Sequence, residues 1–154
     1  MSFQAIIKSL DQRLDHVHST APAFYTAAAH VLATVTGGPV WVKAVVEYLD
    51  TAMTNVTTTT LTYSAIAMDA GAVAINAGAI GSVVPSPMVN AAKTASALAT
   101  QIPNAAALTA VTGGFGMVWG LGALTVTFAT VMDAADRYSI HIVYQKLSPA
   151  SLMT

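Results

Sequence analysis

The chain has 154 residues, 55% of them apolar and 8% charged, with a net charge of −1 and no cysteine. Soluble domains usually carry about 25% charged residues, so this composition excludes an ordinary water-covered globule, and the missing cysteines exclude disulfides and thiolate metal sites. A balance so near zero also gives no bulk attraction to nucleic acid or acidic lipid.

The charges are unevenly placed. Seven of the thirteen lie within the first 50 residues and four after residue 132, so only Asp69 and Lys93 interrupt the stretch from 51 to 132. A compact chain of this size still exposes roughly a third of the surface of its unfolded form. With mean hydropathy at +0.61, polar side chains are too few to cover that surface, and lipid or sister subunits are expected to do so. One helical domain spanning 1–154 is expected.

In chain order, Phe3, Ile6, Ile7, Leu10, Leu14 and Val17 recur at helical spacing, which predicts an amphipathic helix over 1–20. Short helices are expected over 21–62, punctuated by Pro22, Gly37, Gly38 and Pro39, with Lys43 and Glu47 one helical turn apart. The run Asn55 to Thr62 is rich in β-branched residues and fits either a strand or a weak helical junction; helix continuing through it is the favoured reading. Asn55-Val56-Thr57 matches a glycosylation acceptor by chance rather than by design, since no secretion signal precedes it.

Two long uncharged or nearly uncharged segments follow, 63–84 and 105–132, each long enough to span a hydrocarbon core. Both are dominated by Ala, Gly, Thr and Val, which favours close helix packing, and Pro85, Pro87 and Pro103 separate them into an antiparallel hairpin over 63–132. The predicted fold is thus all-α: a small helical bundle with two long apolar helices as a hairpin, plus the N-terminal amphipathic helix. Residues 32–38 and 108–114 echo each other at an offset near half the chain length, as a duplicated helical unit would. In the polar tail, 133–154, Asp133 and Arg137 have helical ion-pair spacing, while Tyr138, Ile140, Ile142 and Tyr144 alternate as in a strand; neither period wins.

No catalytic constellation, cofactor motif or metal cluster emerges. His16 and His18 are two apart, the wrong spacing for a shared helical face, and the glycine pairs lack a P-loop lysine. The residues singled out are structural. Gly71, Ala74, Gly78, Gly81, Gly116 and Gly120 form a candidate self-association face of small side chains. Asp69 and Lys93 form a candidate buried ion pair, because an ionised carboxylate in an apolar segment needs a partner. Lys8 and Arg13 are the residues that would face a polar surface, or nucleic acid if many copies were arrayed around it.

The function expected from these features is a non-enzymatic, self-assembling structural subunit in many copies. A coat or capsid protein of a filament, tube or virion fits, with no cofactor and no small-molecule substrate. A virion or extracellular filament is the favoured location. The alternative is a small integral membrane protein with two transmembrane helices, oligomeric or pore-forming, with lipid as its partner.

Overall fold

The computed structural model describes residues 11–12, 14–54, 57–64, 66–68 and 117–154, together with the strand backbones at 73–74 and 83–86. Their regular structure consists of β-strands, and no helix is among the elements. The strands are β1 (His16–Ser19), β2 (Ala29–Thr36), β3 (Val40–Leu49), β4 (Thr58–Tyr63), β5 (Ile66–Ala67) and β6 (Val73–Ala74), followed by β7 (Val83–Ser86), β8 (Met117–Trp119), β9 (Gly122–Phe128), β10 (Tyr138–Lys146) and β11 (Leu152–Met153).

Two antiparallel sheets result. Sheet I has the order β1-β10-β3, with β7 and β8 end to end along the far edge of β3. Sheet II has the order β11-β2-β9-β4, with β5 and β6 sharing the far edge of β4. They face each other as a β-sandwich, because their buried side chains form one hydrophobic cluster that draws on both sheets. Contacts between the sheets include the stacked pair Tyr63 and Trp119, with ring centroids 4.2 Å apart, and Phe128 edge-on to Tyr138 at 5.2 Å.

The strands follow from side-chain chemistry. β3, VWVKAVVEYL, holds four valines with a Trp and a Tyr, and β4, TTTLTY, is mostly threonine. Such β-branched and aromatic residues lose rotamer freedom in a helix and pack well on a pleated surface. Period-two burial then appears directly: β4 buries Thr59, Leu61 and Tyr63, and β10 buries Tyr138, Ile140 and Ile142. In β3 a bulge opposite Val143 and Tyr144 inserts Lys43, so the buried set passes from Val40 and Val42 to Val45, Glu47 and Leu49. Pro85, opposite Val46, lies in β7, an edge strand among the described residues, which is where a sheet tolerates proline.

Connections are fixed by two glycines. Gly37 turns the chain from β2 to β3 with φ +70°, and a Cβ there would collide with the Ala150 carbonyl oxygen. Gly122 opens β9 where a Cβ would run into the Ser64 hydroxyl. Ser64 itself sits at φ 47°, in the β4–β5 turn. The C-terminus is tied down: Thr34 and Thr154 exchange main-chain bonds at 2.6 and 3.0 Å, Met153 is buried, and the Ser151 hydroxyl donates to the Pro39 carbonyl at 2.6 Å.

These observations overturn the predicted all-α bundle. The 1–20 amphipathic helix is corrected at its end, where His16–Ser19 is a strand paired with β10; residues 1–10 lie outside the described residues. The apolar hairpin over 63–132 is corrected likewise, since every element described within it is a strand. No helix of the described residues is long and apolar enough to cross a membrane, which removes the two helical spans as the basis of the membrane reading. The helix favoured through 55–62 is corrected, since Thr58–Tyr63 is strand β4, and Tyr138–Lys146 is strand β10, so alternation prevails in the tail. Residues 32–36 of the internal echo belong to β2, so the unit there is not helical; its counterpart, 108–114, lies outside the described residues.

Candidate functional site

Charge divides the molecule before any site is chosen. Sheet II has no Asp, Glu, Lys or Arg in any of its strands. The described charges belong to sheet I and its flanking loops, gathered at the two ends of its strands. At one end, Lys146 Nζ donates to Asp11 Oδ2 at 2.8 Å and Lys43 Nζ to Asp15 Oδ1 at 2.6 Å. These lysine contacts hold both carboxyls below their ordinary value. His16 stacks on Tyr144 and donates through Nε2 to the Asp11 carbonyl at 3.1 Å, so the segment before β1 is clasped to β3 and β10.

At the other end, buried Asp136 accepts from the Thr54 amide and hydroxyl at 3.4 and 3.3 Å, and from the Asp133 amide at 3.0 Å. Arg137 donates to the carbonyls of Ala134 and Asp136, not to Asp133. The expected helical pair Asp133–Arg137 is therefore replaced by a loop clamp. Lys43 and Glu47 are likewise not partners: Lys43 lies against Asp15 and over the Trp41 ring, while Glu47 is fully buried and accepts from the Tyr138 hydroxyl at 2.8 Å.

Chemistry-bearing groups are sparse. The Ser19 hydroxyl donates to His141 Nδ1 at 2.8 Å, a contact that can transfer the hydroxyl proton to the ring. The pair lies exposed on the outer side of sheet I, beside Tyr48, and among the described residues no carboxylate contacts the ring to orient it. His18 and His30 each donate to a main-chain carbonyl, of Leu32 and Thr26, at 3.1 Å. No group of three His, Asp or Glu side chains able to hold a metal occurs among the described residues.

Exposed apolar side chains are the more prominent feature: some stand on strands of both sheets, while Leu14, Phe24, Val131 and Leu147 stand in the connecting segments. At the β5–β8 corner, Ile66, Leu121 and Val118 are 71%, 67% and 61% exposed. Below them Tyr63 stacks on Trp119, and its hydroxyl donates to the Gly120 carbonyl at 2.5 Å. On β1 Val17 is 65% exposed, on the face of sheet I that carries Ser19 and His141; on β2 Val31 is 64% exposed, opposite Thr125 on the outer face of sheet II; and Leu152 of β11, opposite Thr36, is 46% exposed.

Of the residues singled out in the sequence, Gly120 stands between β8 and β9 at this corner, with open space where a Cβ would be. Ala74 pairs with Thr58 through β6. Lys8, Arg13, Asp69, Gly71, Gly78, Gly81, Lys93 and Gly116 lie outside the described residues. Of the exposed residues, Val17 belongs to the apolar stripe that predicts a helix over 1–20, while Val31, Ile66 and Leu121 carry no sequence motif.

Comparison with known proteins finds no matching family model, no matching curated protein and no matching solved structure.

Proposed function

We propose that this protein is a structural subunit that works by associating with copies of itself, as in the coat of a filament, tube or virion. The observation that carries the reading is the coincidence of a sheet whose strands hold no Asp, Glu, Lys or Arg with large apolar side chains left open on both sheets, Val17 and Val118 on one and Val31, Ile66 and Leu152 on the other. Scattered exposed apolar residues are ordinary, but grouped ones mark contact surfaces.

The strand architecture replaces helix faces as the means of contact. Sandwich subunits associate through edges and outer faces, which need neither a cofactor nor a reactive group. Particles purified without detergent, separated by density and imaged by electron microscopy, test the proposal. Ordered multi-copy assemblies free of lipid are expected. A monodisperse monomer across the accessible concentration range would sink it.

A further inference from the structure

We infer that the segment from Asp11 through β1 is a strap, locked onto sheet I by two ion pairs at its leading end and able to peel from β10 in acid or high salt while the sandwich stays folded. The inference is independent of what the protein assembles with. β1 has no anchor in the core: none of its four residues is buried, so what holds it is the four-position pairing with β10 and a set of polar contacts. Segments with few buried apolar contacts are the ones that open locally, below the free energy of global unfolding.

The polar contacts fall into two groups. At the leading end Asp11 faces Lys146 of β10 and His16, and Asp15 faces Lys43 of β3, His16 and Gln145 of β10. Both carboxyls stand on the segment and both lysines on the strands beneath, so each pair joins the parts that would separate. Further along no carboxyl takes part: His18 reaches the Leu32 carbonyl, and the Thr20 amide donates to the Ile140 carbonyl at 3.0 Å. Ala23 then exchanges main-chain bonds with Tyr138, and Tyr25 stacks on Phe128, so peeling from the leading end stops there. Acid and salt weaken the leading group. The lysine contacts hold both carboxyls below 3.8, and protonation below those lowered values leaves Lys43 and Lys146 without these counter-charges. Exposed pairs are also screened by salt. Peeling makes β10 the edge of sheet I and frees the main-chain groups that β1 had paired.

Hydrogen exchange on the full-length protein, read as protection factors so that the pH dependence of the chemical step drops out, tests this. Residues 16–20 are expected to lose protection several-fold as pH falls below 3.8, and at neutral pH as salt rises, while β3 and β9 keep theirs. Asp11→Asn with Asp15→Asn should show the lowered protection already at neutral pH and little further change with acid or salt. Reversing both pairs, Asp11→Lys with Lys146→Asp and Asp15→Lys with Lys43→Asp, should restore it, the β3 and β9 amides reporting that each variant is folded. Protection over 16–20 that is unchanged in the folded asparagine variant, that is lost only together with β3 and β9, or that a folded reversed chain fails to restore would overturn the strap.

Discussion

The two sheets solve the same burial problem with different chemistry. Sheet II is held by neutral side chains alone, and its outward positions on β4 and β9 are threonines in register: Thr62 faces Thr125 and Thr60 faces Thr127. Sheet I buries a carboxylate, Glu47, against Tyr138 and anchors its ends through ion pairs and the Asp136 clamp. The difference teaches that the ion-paired carboxylates belong to sheet I and its flanking segments, while the strands of sheet II carry no Asp, Glu, Lys or Arg. Cross-strand threonine pairs contribute a few tenths of a kcal/mol each and impose no charge on a neighbour.

The largest effect is expected where the sheets meet. Trp119→Ala removes the stack on Tyr63 from a fully buried site and should destabilise the fold by about 3–5 kcal/mol in denaturant titration. A loss below about 1 kcal/mol would show that the sheets do not depend on this contact. Next, Tyr138→Phe takes a donor from a buried carboxylate and should cost about 1–3 kcal/mol. Placing the same hydroxyl deletion at Thr127, exposed on sheet II, as Thr127→Val, should change stability by no more than about 0.5 kcal/mol. Equal losses at the two sites would erase the contrast between the sheets.

A subtler separation comes from pH. Asp11 and Asp15 have folded values below the unfolded 3.8, so the stability they contribute is complete above that value and disappears as pH falls through the lower folded values. The double variant Asp11→Asn, Asp15→Asn should flatten the stability profile in that acid window and leave it unchanged near neutrality in shape. Thermal melts between pH 2 and 7 report this directly. The smallest expected change is at Gly120→Ala, which enters open space and should leave both melting and folding intact.

Some of this was legible in the chain. The alternation Tyr138, Ile140, Ile142 and the β-branched run before Tyr63 are strand signals, and both segments are strands. The apolar stretches at 63–84 and 105–132 misled because apolar strands and apolar helices read alike when only length and hydropathy are counted, and the elements described within them are strands. Alanine and glycine within them suggested close helix packing, whereas the valines and threonines among them favour a pleated surface. The Asp15–Lys43 and Asp11–Lys146 pairs were invisible, since they join residues far apart in the chain.

By itself the sequence determined the scarcity of charge, its concentration toward the two ends of the chain, and the large excess of apolar over charged side chains. Those quantities are sums over residues and survive any folding. Only the tertiary structure decided which apolar side chains enter the core and which stay exposed. Pairing decides it: a one-residue bulge such as that at Lys43 exchanges the two faces of a strand, and pairs Glu47 with Tyr138, 91 positions later.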